Sequence, residues 1–248
     1  MDVDISIVSH GQANLAGLLV EDLAKGPRPA STRLTHNIPD NAPAIPGFEG
    51  LSTHWNKLPL GFAGNHNQAF QHSTQPFFCV VNPDIRLLSD PFPALLRCMD
   101  DPSVGLVAPI VLHPSGSVED SVRRYPTPTQ LLSKAMGRND GRYHLNPDPA
   151  GAPQPVEWVA GMFLLFRAEA FRDMGGFDQK FHLYYEDVDM CARLWRAGWK
   201  VVVSPQATVV HEAQRASRHD LKYMAWHASS MARYFFKHYG RLPTVPSA

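Results

Sequence analysis

"FFCVVNPDIRLL", residues 77–88, decides how the rest of the chain is read. Phe77 to Val81 form an unbroken apolar run rich in aromatic and β-branched residues. Such a run suits a strand buried on both faces. It stops at Asn82-Pro83-Asp84. A strand sealed on both sides has no use for a carboxylate, so Asp84 marks where the polypeptide leaves the core.

Working outward, Ile5 to Val8 read as a short apolar strand, then come Ser9-His10-Gly11 and an amphipathic stretch from Leu15 to Ala24. That is a βα unit with a polar tripeptide at the strand's carboxyl end. Residues 26–50, rich in proline, asparagine and glycine, read as loop with one strand near Arg33 to Thr35. "LPLGFAGNHNQAFQHS" (58–73) reads as a glycine turn into a helix from about Asn65. A helix from Pro91 to Met99 and a strand from Val104 to Leu112 follow Asp84. Strands alternating with helices imply an α/β fold with a mostly parallel central sheet flanked by helices. Such sheets bind ligands in the crevice beyond the strands' carboxyl ends. Ser9-His10 and Asn82-Pro83-Asp84 both fall at such ends.

The second half changes character. Residues 123–155, "RRYPTPTQLLSKAMGRNDGRYHLNPDPAGAPQP", are proline-rich and irregular, which suggests a loop or lid. "VEWVAGMFLLFRAEAF" (156–171) gives a strand into a helix. Residues 175–211 give a loop, a helix from Glu186 to Ala197, a strand from Lys200 to Val203 and a last strand ending at His211.

The totals narrow the class. A polypeptide of 248 residues with 44% hydrophobic content can build one large α/β core, and no internal repeat divides it. Lys plus Arg (23) equals Asp plus Glu (23), so no long-range field recruits nucleic acid or an anionic membrane. Three scattered cysteines, Cys79, Cys98 and Cys191, fit neither a disulfide framework nor a four-thiolate zinc site. A reducing cytoplasm is the expected compartment. The N-terminus lacks a secretory pattern, and no apolar stretch nears the roughly 20 residues of a membrane span.

Two readings stand for Asp84. Asn-Pro-Asp after a strand is good turn chemistry. A carboxylate at a strand end can also hold a divalent ion against a diphosphate. On the 186–197 helix, Val188, Cys191, Ala192 and Trp195 with Trp199 make a buried stripe, while Asp189, Arg193, Arg196 and Lys200 take the opposite face. Asp189 with Arg193 is an ordinary i,i+4 pair. Glu186 and Asp187 open that helix, where its dipole favours acids in any case. His211 ends the run "ATVVH", and with 12 histidines in the sequence its placement alone says little.

Taken together, "LGFAGNHNQAF", "FFCVVNPDIRL", "WVAGMFLLFRAEAFRDMGGFDQKFHLYYEDVDMCARLWRAGW" and the closing "VVH" resemble the family-two nucleotide-sugar glycosyltransferases of the GT-A fold. The nearest branch in appearance is the rhamnosyltransferase-like enzymes of bacterial polysaccharide assembly, O-antigen included. The resemblance runs from about Ile5 to Gly240 and is carried most by the long ordered block around "YYEDVDMC". It implies one Rossmann-like GT-A domain over 1–248. Residues 1–112 would be its nucleotide-sugar-binding half, 113–155 a loop or lid, 156–212 the acceptor and catalytic half, and 213–248 a C-terminal helical segment.

The same resemblance assigns roles. Asp84 would hold Mg²⁺ or Mn²⁺ on the donor diphosphate, with His211 as second ligand. Asp187, in the pair with Glu186, would be the general base that deprotonates the acceptor hydroxyl, so that displacement inverts the anomeric centre. Ser9 and His10 would line the nucleotide pocket, with Gly61, Asn65 and Asn67 from the glycine-asparagine segment. Trp158, Gly161 and Arg124 would lie toward the acceptor, and Arg123 and Arg124 of the irregular loop could meet a phosphate on donor or acceptor or simply stand in solvent. Two positions depart from the pattern. The family's base-contacting aspartate is replaced by His36 with Asn37 beside it, and Asn82 replaces the first acid of the metal motif, adding a neutral ligand at best. The expected partners are a nucleotide-diphosphate sugar and a glycan or lipid-linked glycan, not nucleic acid. The protein would be cytoplasmic or peripheral on the inner face of the cytoplasmic membrane. The aromatic, basic stretch "LKYMAWHASSMARYFFKHYGRLP" (221–243) would dock on the core, pair with a second copy or rest on that membrane.

Two other functions compete. A sugar-1-phosphate nucleotidyltransferase needs a glycine-rich basic loop after the first strand, and "SHGQANLAG" offers no Lys or Arg there. An inactive carbohydrate-binding or scaffold domain is favoured by His36 and Asn82 and opposed by the intact Glu186-Asp187 and His211.

Overall fold

The computed structural model describes residues 1–39, 47–138, 141–212 and 221–246. Parts of three expected segments lie outside them: 40–46 of the early loop, 139–140 of the lid, and 213–220 with 247–248 of the C-terminal segment. In sequence order the elements are β1 (Val3–Ser9), α1 (Ala13–Lys25), β2 (Ser31–His36), β3 (Leu51–Trp55), α2 (Phe62–Phe70), β4 (Phe77–Val81), β5 (Ile85–Arg86) and α3 (Phe92–Cys98). There follow β6 (Val104–Leu112), β7 (Val122–Arg123), α4 (Pro128–Ala135), β8 (Gln154–Pro155), β9 (Trp158–Val159) and β10 (Phe163–Arg167). The polypeptide then runs through α5 (Ala168–Asp173), α6 (Glu186–Arg196), β11 (Lys200–His211) and α7 (Leu221–His238).

The main sheet has the order β3-β2-β1-β4-β10-β6-β11-β5, with β8 also on β11. The β3, β2, β1 and β4 strands are parallel neighbours, as are β6 and β11, while β10 runs antiparallel between β4 and β6. The expected alternation is therefore present, with β10 reversed inside the sheet and the short β5 and β8 antiparallel on β11. The period-2 rule divides β4 between two cores. Cys79 and Val81 face the side covered by α1 and α3, whereas Phe78 and Val80 face α2, α5 and α6. Burial is worth about 1.5–3 kcal/mol for each of the larger side chains, so both faces of the run are committed to packing.

Three expectations change. The helix placed from Asn65 begins at Phe62, because a Cβ at Gly61 would collide with the His182 carbonyl oxygen and the backbone turns there. The two strands foreseen between Lys200 and His211 are one, with a register break between Ser204 and Thr208 beside Pro205, which has no N–H to pair. The irregular 113–155 stretch contains α4. Its start is written in the sequence as Thr127-Pro128: the Thr127 hydroxyl accepts the Gln130 N–H at 3.1 Å, and proline suits the first helical position.

The C-terminal helix α7 docks on the core. Tyr234 is fully buried against Tyr185 and Val188, and the Ser230 hydroxyl donates to the Leu183 carbonyl at 2.8 Å. This cover changes the status of Asp189, which forms the expected pair with Arg193 (2.7 Å) but lies wholly buried with Lys237 (2.7 Å) and His238 (2.8 Å). Burial alone would raise its pKa, and these cationic and hydrogen-bonding partners more than offset that, holding it at about 2. Among the described residues, no helix is long and apolar enough to cross a membrane.

Candidate active site

Three neighbouring parallel strands end toward one side, β1 and β2 level with one another (Ser9 beside His36) and β4 two residues earlier (Val81 beside Ile7). His10, Asn37 and Asn82 directly follow β1, β2 and β4. Beyond these ends opens a cavity of about 1550 Å³, lined also by the start of α6 and by Trp226, His227 and Met231 of α7. Among the sequence candidates, His10, Asn37, Gly61, Asn65, Asn82, Asp84, Arg124, Trp158, Gly161, Glu186 and Asp187 line it.

The Asp84 end is held by backbone and charge. The Asn82 N–H donates to the Met162 carbonyl (2.9 Å), and the Glu212 N–H donates to the Asp84 carbonyl (2.8 Å). Just beyond, the Arg86 guanidinium forks onto Asp22 of α1 at 2.7 and 2.9 Å, and the Leu87 N–H joins the same carboxylate. Asp84 Oδ2 sits 3.2 Å from His211 Nε2, and His211 Nδ1 sits 2.8 Å from Glu119. Burial would lower the His211 pKa, but the two carboxylates push it up to about 9. Asp84 Oδ1 is buried with no hydrogen-bond partner.

That orphaned oxygen tests the fit of a divalent ion. A lone buried carboxylate oxygen facing a cavity suits a hard cation. Glu119 on Nδ1 is the kind of partner that turns a histidine's other nitrogen toward a metal. Asp84 and His211 therefore fit a divalent ion, with remaining positions left for ligand oxygens. Among the described residues, no three His, Cys, Asp or Glu side chains converge as a complete cluster. Glu119 escapes a reading of the sequence, since it lies in a stretch without period or motif.

The Asp187 end is built differently. Two consecutive non-glycine residues, Tyr184 (φ 68°) and Tyr185 (φ 67°), take the left-handed conformation before α6. That costs about 1–2 kcal/mol per residue, and it is offset by packing of both rings on His227 and of Tyr185 on Tyr234. Asp187 Oδ2 accepts the Gly161 N–H (2.9 Å) and Oδ1 the Val188 N–H (2.8 Å). Gly161 has no room for more, because a Cβ there would press on Phe62 at 3.0 Å. Burial raises the pKa of both acids, and Glu186, whose Oε2 has no partner, rises further beside the Asp187 charge. The two N–H donors favour the charge on Asp187, so Glu186 keeps the proton.

Four candidates stand off the cavity wall. The Ser9 hydroxyl accepts the Gln12 N–H (3.1 Å) and shapes the turn into α1. His36 stacks on Trp55 with ring centroids 4.9 Å apart. Asn67 clamps Phe177, accepting its N–H (2.9 Å) and donating to its carbonyl (2.8 Å). His211 reaches the cavity only through Asp84. Of the wall residues, Asn65 spends its amide on Leu60, Gly61 and Asn56. Trp158 donates from its indole to the Arg124 carbonyl (2.9 Å), and the Arg124 guanidinium stands 5.7 Å from the Tyr143 ring centre at the rim. Arg123 is paired with Asp120.

A mostly parallel sheet with β10 reversed between β4 and β6 gives the protein the GT-A fold. The fold is shared with GalNAc-T7, solved with UDP, GalNAc and Mn²⁺ (TM-score 0.68, 12% identity, 94% of this protein and 47% of that one). It is shared also with the mannosyltransferase PcManGT of Pyrobaculum calidifontis, solved with GDP-Man and Mn²⁺ (0.65, 14%, 99% and 66%). Residues 80–232 match the model described as glycosyl transferase family group 2, and the protein belongs to that family. Among curated relatives, an N-acetylglucosaminyl-diphospho-decaprenol L-rhamnosyltransferase of Mycobacterium tuberculosis is 34% identical over 163 residues, covering 61% of this protein and 52% of the relative. The match thus spans about half that relative's length. Rhamnosyltransferase WbbL of Escherichia coli K12 is 27% identical over 249 residues, covering 94% and 92%.

Proposed function

We propose that the protein is an inverting glycosyltransferase that moves a sugar, with rhamnose the leading candidate, from a nucleoside diphosphate to a hydroxyl of a glycan or lipid-linked glycan. The observation that carries this reading is that Asp84 and Asp187 line one cavity. Asp187, ionised and oriented by Gly161, takes the acceptor's hydroxyl proton. The freed oxygen forms a bond to the anomeric carbon as the bond from that carbon to the diphosphate breaks, and the nucleoside diphosphate leaves with the electron pair. Protonated Glu186 keeps a second negative charge away from the base. Asp84 and His211 would hold Mg²⁺ or Mn²⁺, which neutralises charge on the leaving diphosphate. The rhamnosyltransferase relatives support the sugar, and the mycobacterial relative's diphospho-decaprenol acceptor supports a lipid-linked one. Such an acceptor would bring the protein to the inner face of the cytoplasmic membrane.

A binding-only reading draws on Asn82, which removes one acid, and on His211, which Glu119 and Asp84 already engage. Incubating the protein with a panel of nucleotide sugars and a polyprenyl-diphosphate glycan, with and without Mn²⁺, separates the two. Transfer with inverted configuration is expected. Donor binding without transfer or hydrolysis would favour the binding-only protein.

A further inference from the structure

The base-contacting aspartate expected after the second strand is absent, and the polar residue that ends up on the cavity wall there, Asn37, is not free to replace it. Its Oδ1 accepts the Leu60 N–H (2.8 Å) and an amide hydrogen of Asn56 (2.8 Å). Its Nδ2 donates to the Leu60 carbonyl (2.9 Å) and meets His10 Nδ1 at 2.9 Å. The orientation of this amide is fixed by backbone groups, because a peptide N–H can only donate and a peptide carbonyl can only accept. Nδ2 is therefore the atom facing His10, and it too can only donate. His10 Nδ1 must be the accepting nitrogen, so the ring hydrogen sits on Nε2. Among the described residues nothing partners Nε2, while the His10 ring is exposed on the cavity wall. Gly11 at φ 77° supports the turn that presents it.

The sheet order gives this donor its address. His10 and Asn37 close β1 and β2, and Asp84 follows β4 on the next strand over, with Asp187 beyond. Adjacent strands lie about 4.8 Å apart, so β2 and β4 are about 10 Å apart, a span suited to a nucleoside between the Asn37 end and the diphosphate at Asp84. Ile38, Pro59 and Leu60 give that end an apolar lining.

Resting on the nucleotide-sugar reading above, we infer that His10 reads the donor's base through its Nε2–H and selects bases with a carbonyl at C4 of a pyrimidine or C6 of a purine: uracil, thymine or guanine. An amino group at that position, as on adenine or cytosine, would face the N–H donor to donor. The departure at the aspartate position is then a transfer of duty from one strand end to its neighbour. Asn37 does not read the base but sets the tautomer of the residue that does.

Calorimetric titration of the full-length protein, with Mn²⁺ present, by UDP, dTDP, GDP, CDP and ADP tests this. Wild type should bind the first three about tenfold more tightly than the last two, the scale of one neutral hydrogen bond. His10→Phe should remove that gap by weakening only UDP, dTDP and GDP. His10→Gln, which keeps an N–H donor, should restore part of it. Equal losses for all five in His10→Phe would assign His10 to ribose or phosphate and overturn the inference. So would a wild type that binds all five alike, with the nucleotide-sugar reading left standing. A wild type that binds none would overturn both.

Discussion

Asp84 and Asp187 line the same cavity and are prepared by opposite means. Asp84 lies against a histidine that two carboxylates hold protonated, and its second oxygen is buried without a partner. Asp187 is held by backbone instead: burial raises its pKa, and two N–H groups keep it aimed. A carboxylate that must hold charge is surrounded by charge, and one that must accept a proton is surrounded by low dielectric. Under the proposed mechanism this difference would separate an ion-holding end from a proton-moving end without any change of residue type.

The sharpest way to break this comparison is Asp187→Asn. It should lower kcat by about 10²–10⁴ and leave donor affinity nearly unchanged by titration calorimetry. Equal damage to donor binding would mean that both aspartates serve the donor. The pH profile sharpens the same point. Because burial lifts Asp187 above its ordinary 3.8, its base form is lost as pH falls through the raised value. The acid limb of kcat should therefore lie above pH 3.8 and vanish in the Asn variant's residual rate.

At the other end, Asp84→Ala should weaken donor binding in Mn²⁺ buffer by about 10–100-fold or more, since loss of even an outer-shell metal partner has that effect. In metal-free buffer the two proteins should bind alike. Glu119→Gln is a milder test, since it disturbs His211 and not Asp84. A fall in Mn²⁺ affinity toward the lower part of that range is expected, with kcat at saturating Mn²⁺ little changed. A kcat loss rivalling that of Asp187→Asn would move Glu119 into the chemistry.

The smallest effect concerns Glu186. Its folded pKa is raised, so its contribution to stability is full below its ordinary value of 4.5 and lost as pH rises through the folded value. Glu186→Gln, which mimics the protonated form, should melt higher than wild type at pH 8. The two should converge below pH 4.5. A variant that melts lower at pH 8 would mean the carboxylate form has a partner that burial hides.

Much of this is legible from residue order. The run at 77–81, the βα unit at the start and the apolar stripe of α6 each announce themselves through period, because period reports which side of an element meets the core. Asp84, Glu186 and Asp187 stand out because strand ends and helix starts are predictable places. Ser9 and His36 end strands and Asn67 lies inside α2, yet each spends its polar atoms or its ring on a local fit that period does not encode. Glu119 and α7's part in the wall have no local signal at all.

The sequence by itself determined the layered α/β plan and the level at which the polar groups emerge, since burial pattern and turn chemistry are properties of neighbouring residues. Only the tertiary structure decided which nitrogen of His10 carries its hydrogen, which acid keeps its proton, and that Asp189 is buried. Those outcomes depend on groups brought together from distant parts of the polypeptide, such as His238 against Asp189, and a hydrogen bond is decided by distance in space and not by distance in sequence.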